Sequence, residues 1–178
     1  MPIHERHGAV TYRGVPLTLI GPALAVGHRL PDAALVDPEW RTVHLAELIG
    51  KPMLISIVPS LDTGICDAQT RRFNDEAERL GSGATVVTIS ADLPWRQASW
   101  AKDAGVDRIT LLSDSVWMEF GTRTGTHVKE MRIDMRAIVV ADENQRVTYA
   151  EFVPEIVHHP DYDAAVDAAR LLIKRPLS

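Results

Sequence analysis

The sequence predicts an α/β fold: a mixed central sheet with helices on both faces and an N-terminal β-hairpin. Three observations carry this. Residues 53–58 (M-L-I-S-I-V) are a continuous apolar run of strand length, the mark of a strand buried on both faces. Residues 66–80 repeat buried-type positions at helical spacing, and residues 84–90 (A-T-V-V-T-I-S) form a second β-rich run. Strand, helix and strand in that succession make a βαβ unit, which implies parallel pairing with a right-handed crossover. A chain of 178 residues fits one domain, spanning residues 1–178, and can bury a sizeable core.

The elements follow in order. Residues 9–20 read as two short strands around Arg13-Gly14, a small hairpin. Residues 21–31 are a connection punctuated by Gly and Pro. Residues 33–36 suit a short strand that turns at Asp37-Pro38, and residues 43–49 suit a helical turn ending at Gly50. In the 66–80 helix, Cys66, Thr70, Phe73, Ala77 and Leu80 share one stripe, while Asp67, Arg71, Asp75 and Glu78 fall opposite. Gly81-Ser82-Gly83 ends it. Pro94 opens a helix that runs to about Lys102. Residues 109–112 suit a third strand, residues 116–120 a short helix, and residues 121–132 resist assignment. Residues 136–140 and 147–152 suit two strands joined by a turn at residues 142–145. The last helix begins near Pro160, with Tyr162, Ala165, Val166, Ala169, Leu172 and Ile173 as its apolar stripe. Asp161 and Asp163 suit its positive end; Lys174 and Arg175 suit its negative end. The order βαβαβα followed by ββα describes a thioredoxin-like architecture with additions.

Composition removes several function classes. The formal net charge is −5, so no basic footprint for nucleic acid exists. No window approaches the eighteen apolar residues of a membrane span. The amino end, M-P-I-H-E-R-H-G, lacks the basic-then-apolar layout of a signal peptide, so a cytoplasmic protein is expected. The single cysteine excludes an internal disulfide and a metal site built on several thiolates.

That cysteine, Cys66, stands at the mouth of the helix that follows the central strand. A lone cysteine is commonly a small buried hydrophobe. A helix amino end, however, presents unpaired N–H groups and partial positive charge, and both favour a thiolate. Thr63, three residues earlier, is a suitable helix cap, and Pro59 stiffens the approach to the loop. Thioredoxin-type dithiol sites carry C-x-x-C at this junction. Here the spacing reads T-x-x-C (Thr63-Gly64-Ile65-Cys66), so the first thiol is replaced by a hydroxyl. Dithiol exchange is excluded. A hydroxyl beside a thiolate suits a small polar substrate such as a peroxide, whose second oxygen must leave with donors and positive charge nearby.

At these residues the sequence resembles the peroxiredoxins, and more specifically bacterial thiol peroxidases. Pro59, Thr63 and Cys66 match the P-x-x-x-T-x-x-C signature. The resemblance extends through R-R-F-N, V-V-T-I-S-A-D-L-P, M-R-A-I-V-V-A-D-E-N and P-E-I-V-H-H-P-D-Y-D-A-A, from about Val10 to Leu172. It implies that Cys66 attacks a hydroperoxide and becomes a sulfenic acid. It further implies that Thr63 bonds peroxide and sulfur, that Pro59 shields the thiolate, and that Arg136 stabilises the thiolate and the developing oxygen charge. No cofactor or metal is implied, and homodimers are. The subgroup typically carries a second, resolving cysteine on the helix after A-D-L-P, at about Ala101 here. Its absence implies that an external thiol or redoxin resets Cys66.

Other readings of the same residues remain open. A thioredoxin-fold module that senses peroxide without turnover would share the thiolate. A Cys–His hydrolase would need an imidazole beside Cys66, for which only His127 stands near a site residue in sequence; a solvated loop is its ordinary reading. His158 and His159 are adjacent in a loop and present no common ligand face. An arginine at a strand edge such as Arg136 ordinarily snorkels to water. Arg71 and Arg72 are expected to pair with Asp67, Asp75 or Glu76. Trp95, Trp100 and Trp117 suit core or a subunit contact.

Overall fold

The structure is a computed structural model and describes residues 4–173. Its strands are β1 (Glu5–Tyr12), β2 (Val15–Ile20), β3 (Ala34–Val36), β4 (Thr42–His44), β5 (Met53–Ile57), β6 (Thr85–Ser90), β7 (Thr110–Ser113), β8 (His127–Val128), β9 (Ile133–Asp134), β10 (Ala137–Ala141) and β11 (Val147–Phe152). Its helices are α1 (Gly64–Leu80), α2 (Pro94–Ala104), α3 (Glu119–Thr124) and α4 (Tyr162–Ile173). The larger sheet runs β11-β10-β5-β6-β7-β3-β4. Strands β5, β6 and β7 are parallel; β10 and β11 join antiparallel, as expected for a mixed sheet.

All five residues of β5 are buried, because both faces of the sheet are covered. Pleating sends Leu54, Val86, Ile138 and Val140 to one face, where they meet Phe73, Ala77 and Leu80 of α1 and Ala165, Val166, Ala169 and Leu172 of α4. Ile55, Ile57, Val87, Ile89 and Val139 point the other way, onto Leu24, Leu35, Leu45 and Phe120. The α1 stripe read from spacing is buried in full. A second, polar column is buried beside it, and Glu76 belongs to it at 2% exposure. Its carboxylate lies 2.7 Å from Arg79, 3.2 Å from Arg72 and, across to α4, 3.4 Å from Arg170. Lys174 and Arg175 lie outside the described residues.

The structure departs from the sequence expectation at four places. The hairpin starts at Glu5, with an irregularity between His7 and Val10, and forms half of a second sheet ordered β1-β2-β8-β9. Residues 121–132 supply the end of α3 and strand β8. The short helix falls at Glu119–Thr124 and not at residues 116–120. Met118 adopts a left-handed φ of 50°, and the Asp114 carboxylate accepts the N–H groups of Phe120 and Gly121, so the helix can only begin there. Residues 42–44 are a strand paired with β3, which confines the expected helical turn to a 3₁₀ turn at Leu45–Leu48.

Asp114 and Asp134 form a buried acidic pair beneath α3. A side chain at Gly121 would collide with Asp134 Oδ1, which shows how closely β9 approaches the helix. Burial pushes the Asp114 carboxyl up to about 6 and pushes Asp134 well above the ordinary carboxylate value; the charge of Asp114 adds to the second shift. Both groups therefore bind protons more tightly folded than unfolded. The contribution of Asp114 to stability is full below 3.8 and is lost as pH rises through about 6; that of Asp134 is likewise full below 3.8 and declines above it. Asp134→Asn keeps an acceptor for Thr126 Oγ1 and removes one ionisation. In urea unfolding, its midpoint relative to the parent is expected to rise progressively as pH increases above 3.8.

Candidate active site

Strand β5 delivers the chain to the site. Beyond Ile57, Val58 and Pro59 remain buried, and the Val58 N–H still bonds Ile89 of the parallel neighbour at 3.0 Å. Asp92, just past the end of β6, then fixes the loop. Its carboxylate accepts the Ser60 hydroxyl, the Leu61 N–H and the Ser90 hydroxyl, each at 2.8 Å. The site thus lies at the carboxyl ends of the parallel strands, where open α/β sheets leave a crevice.

Helix α1 begins at Gly64, so Cys66 is its third residue and faces inward at 0% exposure. Thr63 occupies the cap position, but its hydroxyl does not cap a helix N–H. It donates to Cys66 Sγ at 2.7 Å and lies 3.1 Å from the Ser60 carbonyl. The T-x-x-C spacing therefore places a hydroxyl directly on the sulfur. Behind the sulfur, Val58, Leu61, Trp100 and Val106 close an apolar wall.

Arg136 immediately precedes β10 and is 1% exposed, so the alternative reading of an arginine snorkelling to water fails. Its Nη2 donates to Cys66 Sγ at 3.4 Å. Its Nη1 donates to Gln69 Oε1 at 2.8 Å, and Nε and Nη2 both donate to the Ile156 carbonyl, at 3.2 and 3.1 Å. Gln69 Nε2 in turn donates to Ser56 Oγ on β5 at 2.8 Å. Among the described residues Arg136 forms no ion pair with a carboxylate. Its Nη2 group is directed at the sulfur.

A cleft of about 590 Å³ opens beside these groups. Pro59, Thr63 and Arg136 line it next to the thiol, and Tyr12, Ile65, Ala68, Met131, Ile133 and Ile156 make most of it apolar. Burial pushes the Tyr162 phenol up, and its hydroxyl lies 2.8 Å from His159 Nδ1 at the same cleft.

The structure brings Pro59, Thr63, Cys66 and Arg136 together. Arg71 pairs with Asp67 at 2.9 Å on the outer face of α1, and Arg72 with the buried Glu76 at 3.2 Å. His127 is neither a solvated loop residue nor a neighbour of the thiol: it is buried on β8, 3.2 Å from Thr122 Oγ1, because β8 pairs inside the second sheet. Trp100 is core, whereas Trp95 is 67% exposed. Ala101 packs against the apolar cluster that holds Cys66. Sequence reasoning missed Gln69, Asp92 and the Ile156 carbonyl. Gln69 stands one turn after Cys66 on the buried side, a polar residue at an inward helical position, and that was a readable signal. Asp92 and the Ile156 carbonyl reach the site through tertiary contacts, to Ser60 and Leu61 and to Arg136.

The Redoxin family matches residues 25–166. A thiol peroxidase of Bacillus subtilis is 46% identical over 93% of this chain and 98% of its own length. One from Staphylococcus aureus is 43% identical over 89% of this chain and 96% of its own. Among solved structures, a peroxiredoxin-like protein from Aquifex aeolicus superposes with a TM-score of 0.86 at 30% identity, covering 95% of this chain and 99% of that one. A thiol peroxidase from Chromobacterium violaceum, at 24% identity and a TM-score of 0.80, covers 91% of this chain and 95% of its own and shows the same fold. The chain belongs to the Redoxin family, as a peroxiredoxin-type oxidoreductase. Within that class it falls among the thiol peroxidases and lacks the resolving cysteine.

Gln69→Leu leaves the Arg136 Nη1 group buried without its acceptor. Unfolding in urea is expected to show a loss of roughly 1.5–3 kcal/mol, the range for a hydrogen bond to a charged group.

Proposed function

We propose that the protein reduces hydrogen peroxide and organic hydroperoxides, with Cys66 as nucleophile. The observation that carries this is the convergence of two donors on one buried sulfur: Thr63 Oγ1 at 2.7 Å and Arg136 Nη2 at 3.4 Å. The Cys66 thiolate attacks the outer oxygen of ROOH. A sulfur–oxygen bond forms, the O–O bond breaks, and the departing RO⁻ takes a proton and leaves as ROH. Thr63 orients the attacked oxygen. Arg136 stabilises the charge that develops on the departing one. Pro59, buried at the cleft wall, keeps water from the thiolate. The apolar lining accepts the R group of an organic hydroperoxide.

Cys66 is the only cysteine, so its sulfenic acid is resolved from outside. A thiol R′SH forms a mixed disulfide and releases water; a second thiol frees Cys66 and leaves R′SSR′. A reducing compartment such as the cytoplasm supplies these thiols. The same lack of a second thiol favours the rival reading, a peroxide sensor oxidised once without turnover. Addition of one equivalent of hydroperoxide, intact mass with a sulfenic-acid trap, and then a series of reducing thiols separates the two. Fast oxidation with multiple turnovers is expected; oxidation no faster than that of a free thiol would defeat both readings. Cys66→Ser should abolish oxidation. Thr63→Val and Arg136→Ala should each slow it by about 10²–10³-fold, as loss of one preorganised donor does.

The same reading includes a homodimer. Trp95 on α2 and Trp40 are both exposed, and their ring centroids lie 4.6 Å apart, a paired aromatic surface suited to a second copy of the chain. In sedimentation, Trp95→Glu is expected to shift the protein from dimer to monomer without unfolding it.

A further inference from the structure

Glu155 sits in the loop between β11 and α4, apart from the hydrogen bonds that reach Cys66 Sγ. Its carboxylate nevertheless holds four donors. Oε1 accepts the N–H groups of Arg13 at 2.9 Å and Val157 at 3.3 Å. Oε2 accepts the Gly14 N–H at 3.0 Å and the Thr11 hydroxyl at 2.8 Å. Arg13 and Gly14 form the tip of the β1–β2 hairpin, with φ of 49° and 79°. Such a turn matches the strand twist but costs a non-glycine residue energy at Arg13. The carboxylate holds that tip in place.

Two backbone bonds flank the clasp. The Thr11 N–H donates to the Pro154 carbonyl at 2.8 Å, and the Ile156 N–H donates to the Thr11 carbonyl at 2.9 Å. The Ile156 carbonyl is then the acceptor of Arg136 Nε and Nη2, and Nη2 is the atom that reaches Cys66 Sγ. A continuous line of hydrogen bonds runs from the hairpin tip to the sulfur.

We propose that Glu155 is a positioning residue for the peroxide reaction: it clasps the hairpin tip and so fixes the Ile156 carbonyl that aims Arg136 at Cys66. The proposal rests on the reading of Arg136 as the stabiliser of charge at the thiol site. Without the clasp, the guanidinium keeps its Gln69 anchor on Nη1 and can pivot about it. The Nη2–Sγ contact, at 3.4 Å, is already long, so a small pivot breaks it. The four donors hold the Glu155 carboxyl down at about 2, so the clasp stays ionised above that and opens only as pH falls toward it. Tyr12, Arg13, Ile156 and Val157, all on the clasped segments, line the same cleft as Thr63 and Arg136.

Rapid-mixing oxidation of the reduced full chain by hydrogen peroxide tests this, with Glu155→Ala, Glu155→Gln, Arg136→Ala and the Glu155→Ala/Arg136→Ala double variant. Glu155→Ala is expected to slow oxidation about tenfold, less than outright loss of a donor. Glu155→Gln, which keeps one acceptor oxygen, should recover part of that rate. The double variant should be no slower than Arg136→Ala alone, a non-additivity that a purely structural role does not produce. A Glu155→Ala rate within about twofold of the parent, or a full tenfold loss retained in the Arg136→Ala background, would overturn the proposal. Should Glu155→Ala fail to fold by circular dichroism, Glu155→Gln enters the same cycle in its place and must show the same non-additivity. An Arg136→Ala variant as fast as the parent would instead bring down the reading of the site, and this inference with it.

Discussion

Arg136 carries a full charge in a buried position and has no carboxylate to balance it among the described residues. Burying an unpaired cation costs on the order of several kcal/mol, and a protein ordinarily offsets this with an acid. Here the acceptors are an amide oxygen of Gln69 and the backbone carbonyl of Ile156, both neutral. They hold the guanidinium in place and leave its charge unspent. Beyond these two acceptors, the guanidinium reaches the sulfur of Cys66 at 3.4 Å. The contacts that place the buried cation are therefore the ones that hold it against the thiol.

The architecture makes that contact possible by joining two sheets. The larger sheet supplies the sulfur, through the β5–α1 junction, and the arginine, at the start of β10. The smaller sheet supplies nothing to the thiol directly, yet Tyr12, Arg13 and Ile133 form part of the cleft. Asp92 serves the same end from a third direction, by pinning Ser60 and Leu61 against the end of β6. The thiol is therefore held by elements from all over the chain, while among the described residues two side chains hydrogen-bond its sulfur.

What could be read in the sequence follows the range of the interactions. Pro59, Thr63 and Cys66 lie within eight residues, so their spacing alone placed them around one helix mouth. The α1 stripe and the buried β5 run were equally plain, since periodicity reports burial. Arg136 was harder. Its environment depends on Gln69 and Ile156, far away in the chain, and a strand edge ordinarily leads to water. The second sheet was hidden because β8 and β9 have two residues each, too few for any periodic signal. The offset of α3 came from Asp114, whose capping role depends on tertiary position. Thr63 gave a mixed outcome: its place was correct, but its hydroxyl serves the sulfur and not the helix.

Glu76 bears on how the first helix is anchored. One buried carboxylate gathers Arg72 and Arg79 of α1 with Arg170 of α4. The middle and far end of the helix are thereby tied to α4. Its opening turns, which carry Cys66, are tied to α2 instead: the Trp100 Nε1–H donates to Asp67 at 3.2 Å, and Arg71 donates to the Ala104 carbonyl at 2.8 Å. The end of the helix that bears the sulfur and the end that packs the core are fastened to different neighbours, so a change in α4 and a change in α2 reach opposite ends of the same rod.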